Sequence, residues 1–123
     1  MNQLTDYQNN YNNIYDKKKK DRVTCSETQN SVTIEFNDFP SLNRGSANYL
    51  LTKLKRHIRS GKRFVFNLEG IDSIDAQGLA LFLHLNSALK KSKTELILTN
   101  PSSPIQKIFW ITEIDRIINI KKS

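Results

Sequence analysis

This chain of 123 residues lacks most of what chemistry at a protein site requires. Its single cysteine, Cys25, allows no disulfide framework and no zinc knuckle, and makes a reducing, cytoplasmic setting the default. Four glycines, at 45, 61, 70 and 78, match neither the dinucleotide-binding nor the P-loop spacing, which argues against a nucleotide held by either route. The two histidines, His57 and His84, lie in different segments with no motif around them. No window approaches the roughly 18 to 20 consecutive apolar residues that span a bilayer, so membrane insertion is not expected. Length alone excludes a two-domain enzyme. Acid is the scarce charge: 12 Asp and Glu stand against 19 Lys and Arg, leaving a net charge of +7. With 37% hydrophobic residues, the composition fits one soluble domain with a modest core.

What is present divides in two. Residues 1–22 hold asparagines at 2, 9, 10, 12 and 13, tyrosines at 7, 11 and 15, and the run Lys17, Lys18, Lys19, Lys20, with no period that could bury a face. They read as a disordered Asn/Lys-rich tail ahead of a single domain at 23–123, and they lack the apolar run and cleavage pattern of a secretory signal. The tail could tether nucleic acid or anionic lipid. A solubilising end is the better reading, because four lysines attract only at short, salt-screened range.

Beyond the tail the hydrophobic period alternates between strand and helix. Residues 31–36 alternate polar and apolar with β-branched residues on one face, as a half-buried strand does. Residues 37–45 collect Asn, Asp, Pro, Ser and Gly and read as a connection. Ala47, Leu50, Leu51, Leu54 and Ile58 then fall at helical spacing, with Ser46 available as N-cap, Gly61 as the stop, and a basic outer face. Residues 63–68 form a second strand, apolar enough for burial on both faces. Asp75 is placed to cap the next helix, whose stretch 79–85 is apolar nearly all round and which closes on Lys90, Lys91 and Lys93. A third strand at 95–99, a helix opened by Pro104 after a serine cap, and an apolar end at 111–120 that finishes as a turn and an edge strand complete the pattern. Strands alternating with helices predict an α/β fold with mostly parallel neighbours.

Few side chains offer chemistry. His84 reads as a histidine satisfied at the core edge, and His57 as a solvated member of the basic helix. Glu69, Asp72 and Asp75 are spaced by three around one loop; a site for a hard cation there is disfavoured because Asp75 already serves as a cap. Lys53, Lys55, Arg56, Arg59, Lys62 and Arg63 concentrate positive charge beside this locally acidic loop. Without aromatic interleaving or a helix-turn-helix spacing they read as a solvated face or one facing an acidic protein, and nucleic acid is not expected. No catalytic, metal or cofactor-binding residue is visible, and an enzyme is not expected.

The segment Phe64-Val65-Phe66-Asn67-Leu68-Glu69-Gly70-Ile71-Asp72-Ser73-Ile74-Asp75-Ala76-Gln77-Gly78-Leu79 resembles the signature of STAS domains, the family of sulfate transporters and anti-sigma-factor antagonists. There a buried strand runs into a short loop, and an Asp, two small or hydroxyl residues, Gly and Leu start the next helix. Residues 95–104 are similar to the family's third strand and loop, and 105–120 to its closing helix, with Glu113 standing where the family favours Gly. The resemblance covers residues 31–120 and implies a mixed, mostly parallel sheet of about four strands covered by about four helices.

It also implies a bacterial, cytoplasmic protein-interaction module that does no catalysis. In anti-sigma factor antagonists of this family the Asp-led turn docks an anti-sigma factor that is also a serine kinase, within a partner-switching system that regulates transcription. That kinase phosphorylates a Ser or Thr shortly after the Asp, and the phosphate abolishes binding; the position falls on Gln77, where no hydroxyl exists, and Ala76 has none either. The resemblance therefore implies a module held in its binding-competent form. Ser73, Asp75, Ala76, Gln77 and Gly78 are the expected protein-binding residues, Ser73 being only a weak candidate for a substitute phosphosite and Gly78 allowing close backbone approach. A second resemblance, through residues 78–85 and Lys90-Lys91, is to the STAS subunit that binds the ATPase of ABC-type phospholipid transporters. A homodimer is compatible with either.

Overall fold

The computed structural model describes residues 23–37, 41–58 and 60–122, and the tail expected at 1–22 lies outside them. The described chain opens with a hairpin of β1 (Val23–Glu27) and β2 (Ser31–Phe36), antiparallel with Val23 opposite Phe36. Thr28 shapes the turn, its hydroxyl accepting from the amides of Asn30 and Ser31. There follow β3 (Ser41–Leu42), α1 (Arg44–Ile58), β4 (Arg63–Asn67), β5 (Ser73–Ile74), α2 (Ala76–Lys91), β6 (Leu96–Thr99), α3 (Ser103–Ile111), a 3₁₀ turn (Ile114–Arg116) and β7 (Asn119–Lys121). The main sheet has five strands in the order β1-β2-β4-β6-β7, all parallel except the β1–β2 pair, and β3 and β5 form a separate parallel ribbon. The α/β pattern with a mixed, mostly parallel sheet is as expected; the sheet gains a strand over the expected four, and the described residues hold three α-helices rather than four.

The strand order explains where the core sits. From β2 to β4 to β6 to β7 each crossover steps in the same direction, and right-handed crossovers that do so place all their helices on one face of the sheet. Val32, Ile34, Phe64, Phe66, Leu96 and Leu98 point to that face and are buried under Leu50, Leu54, Phe82, Leu85, Ile105 and Phe109 from the helices. Phe66 and Phe82 meet edge to face, with ring centroids 5.4 Å apart.

One-sided coverage accounts for several departures from the sequence reading. Only Phe64 and Phe66 of β4 are fully buried, while Val65 and Asn67 on the other face are half-buried. Helix α2 is not covered all round: Leu81, Phe82, Leu85 and Leu89 face the core, whereas Leu83 and His84 are exposed, so His84 is not a core-edge histidine. β1 escaped the sequence reading because only Val23 and Cys25 alternate inward. Cys25 lies within that strand, packed against the core, and not at the edge of a tail.

Helix α1 begins two residues before the expected cap. The Ser46 amide donates to Asn43 Oδ1 at 3.2 Å and the Asn43 amide to Ser46 Oγ at 2.8 Å, a reciprocal capping arrangement in which Asn43 is the cap and Ser46 its partner. His57 is not simply solvated. Its side chain is 14% exposed and its Nδ1 contacts Glu27 of β1, whose other carboxylate oxygen takes Lys62 Nζ at 2.8 Å.

Candidate functional site

The residues singled out around Asp75 sit at the carboxyl ends of the parallel strands, where crossover loops open toward solvent. Four backbone and side-chain contacts lock this end. β5 pairs with β3, placing Ser73 beside Ser41 and Ile74 beside Leu42, and the two serine hydroxyls share a hydrogen bond of 2.8 Å. The Asp75 amide donates to the Leu42 carbonyl at 3.0 Å. Asp75 Oδ1 in turn accepts from the amides of Gln77, at 2.9 Å, and Gly78, at 3.0 Å. These are two of the free donors of the first turn of α2, and a carboxylate also suits the positive end of the helix dipole.

Gly78 completes the joint. A Cβ at this position would lie 2.5 Å from the Leu42 carbonyl oxygen and 2.7 Å from Ile74 Cγ1, so only glycine lets α2 seat against the β3–β5 ribbon. The close backbone approach expected of Gly78 is therefore internal, and the residue is buried. Ser73, Asp75, Ala76 and Gln77 remain exposed around it.

Beyond the first turn, a feature that sequence reasoning passed over becomes visible. Ala76, Gln77, Ala80, Leu83, His84 and Ser87 are exposed on α2, and between Asp75 and Lys90 the chain holds no Asp, Glu, Lys or Arg. Because a quarter of the residues are charged, a solvent-facing helix surface four turns long without one is a desolvation-ready face. The signal was present in the sequence as the uncharged run 76–89. It was read as burial because one-sided coverage of the sheet was not foreseen.

The surrounding loop is polar. Asn67 Oδ1 accepts from the Glu69 amide at 3.1 Å and from Asn100 Nδ2 at 3.0 Å, and Ser102 Oγ reaches the Ile71 carbonyl at 3.3 Å, tying the β4–β5 loop to the start of α3. A hollow of about 460 Å³ beside it is lined by Thr24, Glu35, Asn67, Glu69 and Gly70 among others. Glu69, Asp72 and Asp75 do not converge, and among the described residues no three His, Cys, Asp or Glu side chains are grouped to hold a metal ion. The basic cluster is not beside this loop. α1 starts here and runs roughly 20 Å away, so Lys55 and Lys62 lie toward the opposite end of the sheet, where Lys62 is neutralised by Glu27. No helix among the described residues is long and apolar enough to cross a membrane.

The fold and this joint define a small α/β domain with helices on one side of a mixed sheet and an Asp-capped helix presented at the carboxyl ends of its strands. The STAS domain model matches residues 26–123, and the chain belongs to the STAS domain family. Solved structures agree in fold. An anti-sigma-factor antagonist (STAS) domain protein from Planctomyces limnophilus superposes with a TM-score of 0.74 at 13% identity, covering 82% of this chain and 90% of that one. The anti-sigma factor antagonist SpoIIAA in its unphosphorylated form gives 0.70 at 21% identity over 82% of this chain and 87% of its own. The phosphorylated form of the Bacillus cell fate determinant SpoIIAA gives 0.65 at 21% identity over 82% and 90%. The comparison with curated proteins finds no match.

Proposed function

We propose that this chain is a non-catalytic docking module of the anti-sigma factor antagonist type, a cytoplasmic component of a partner-switching system that regulates transcription. Its interface is formed by Ser73, Asp75, Ala76 and Gln77 and continues along the uncharged face of α2 through Ala80 and Leu83. That face is the observation that carries the reading, because an exposed surface without charge on a strongly charged chain is inexpensive to desolvate against a protein. Gly78 and the Asp75 cap hold the first turn rigid, so binding orders little that is not already ordered. The partner is an anti-sigma factor with serine-kinase character. Gln77 offers it an uncharged donor and acceptor and no hydroxyl, so this position cannot be switched by phosphorylation.

The test is capture of partners from the native cell by the full chain and by Gln77→Arg and Gln77→Glu. An anti-sigma factor retained by the parent and lost with arginine supports the reading, and loss with glutamate adds that negative charge at this turn prevents binding. Recovery of an ABC-transporter ATPase instead would assign the module to phospholipid transport. Equal capture by all three forms would place the interface elsewhere.

A further inference from the structure

A second exposed surface is independent of the docking turn. Trp110 is 73% exposed, Ile111 68% and Ile117 51%, and these are three of the four large hydrophobic side chains exposed among the described residues. They gather within eight positions, at the end of α3 and just past the 3₁₀ turn. A hollow of about 620 Å³ lies against them, lined by Trp110, Ile111, Glu113, Asp115 and Arg116. A smaller one of about 280 Å³, between α3 and β7, is reached from the other side of Trp110 and is bordered by Asp115 and Lys122. Isolated exposed hydrophobic residues need no explanation, but a cluster that includes the only tryptophan of the chain does.

We infer that this patch is a self-recognition surface, on which a second copy of the chain docks across a two-fold axis through Trp110, Ile111 and Ile117. A two-fold interface uses the same patch twice, so the patch must carry both halves of every contact. This one does. The indole projects beside a hollow large enough to receive an indole. Acidic Glu113 and Asp115 share the rim with basic Arg116 and Lys122, and Lys107 lies one turn before Trp110 and Ile111 on α3, so the patch carries charges of both signs. The Glu113–Arg116 pair, 3.3 Å apart and exposed on both sides, can exchange partners across the axis at little cost. The three apolar side chains then form the dry centre, and the charged ones the rim, of an interface that for a stable pair covers about 800 Å² per partner. The open edge of β7 is an unsuitable alternative route: it is three residues long and ends in Lys121, with Lys122 next in the chain, and such lysines discourage strand pairing.

The lone tryptophan makes the surface directly readable. With the full chain, sedimentation velocity should show a concentration-dependent dimer, and the emission of Trp110 should move to shorter wavelength over the same concentration range. Trp110→Ala should weaken the dimer by about tenfold or more, as loss of a central aromatic anchor does, while circular dichroism stays unchanged because the side chain is exposed. Arg116→Glu and Glu113→Arg should each weaken it, and the two together should restore it in part, because the swapped pair re-forms within each copy as well as across the axis. A chain that stays monomeric up to about 1 mM, a dimer indifferent to Trp110→Ala, or an emission shift produced by anionic vesicles and not by protein concentration would each overturn the inference.

Discussion

The two ends of the parallel sheet are built on different principles. At the carboxyl ends, the β3–β5 ribbon, the Asp75 cap and the Leu42 carbonyl fix the chain through backbone contacts, and the positions with positive φ are held by residues suited to them, Gly70 and Asn100. At the amino ends, side-chain ion pairs add to backbone hydrogen bonds such as those from the Arg63 amide to the Asn30 carbonyl and from the Phe64 amide to the Glu95 carbonyl. Glu27 bridges His57 and Lys62, Glu113 meets Arg116, and positive φ falls on Gly61, which suits it, and on Lys93 and Glu113, which tolerate it poorly. The lesson is that rigidity is concentrated where docking is proposed.

The contrast is tested most severely at Gly78. Gly78→Ala sets a methyl 2.5 Å from a backbone oxygen that cannot move without unpairing β3 from β5. Overpacking against backbone should destabilise by about 3 kcal/mol, which lowers Tm by roughly 10–20 °C. A loss under 1 °C would show that the ribbon slides freely and that this end is not rigid. Asp75→Ala should cost about 1 kcal/mol, since the amides of Gln77 and Gly78 lose their acceptor. Hydrogen exchange at those two amides should accelerate while protection in β4 stays unchanged. Uniform loss of protection across the sheet would mean that the cap is coupled to the whole core.

At the other end the sign reverses. Glu113 sits at φ 61°, where its Cβ is crowded, and Glu113→Gly should raise Tm by roughly 4–8 °C in dilute solution, worth about 1 kcal/mol, because the exposed pair with Arg116 that it sacrifices contributes little. A lower Tm would show that the ion pair, and not the backbone, decides this turn.

How much of this was legible in the sequence follows the same division. Helix α2, its Asp75 cap and the succession β2, α1, β4, α2, β6 and α3 were readable because period and capping chemistry are local. The resemblance of residues 64–79 to the STAS signature gave the family before any contact was known, and the domain model over residues 26–123 bears it out. Long-range facts were not readable. The ribbon between Ser41–Leu42 and Ser73–Ile74 joins segments about thirty residues apart through two residue pairs, too few to leave a period. The contact of His57 with Glu27 likewise joins a helix to a strand that the sequence reading had not assigned. That Leu42 makes the close approach at Gly78 was not readable, because only the fold brings the two together.

The smallest effect is expected at Glu27, where the amino end would differ from the docking end in its response to acid. The hydrogen bond from Lys62 holds the Glu27 carboxyl below its ordinary value of 4.5; desolvation opposes it, and the charges of Lys62 and His57 add to the lowering. A carboxyl whose pKa is lowered on folding binds fewer protons in the folded than in the unfolded chain, so its contribution is complete above the ordinary pKa and disappears as pH falls through the folded one. Glu27→Gln should therefore lower Tm by an amount near the limit of detection from neutral pH down to about 5, and the difference from the parent should vanish on further acidification. It should also shrink in high salt, because the group is exposed and its partners are screened. Asp75→Ala, whose loss comes from backbone amides facing a cap, should keep most of its effect in the same salt titration. Equal salt sensitivity in the two variants would erase the distinction between an end held by hydrogen-bonded backbone and an end held by charge.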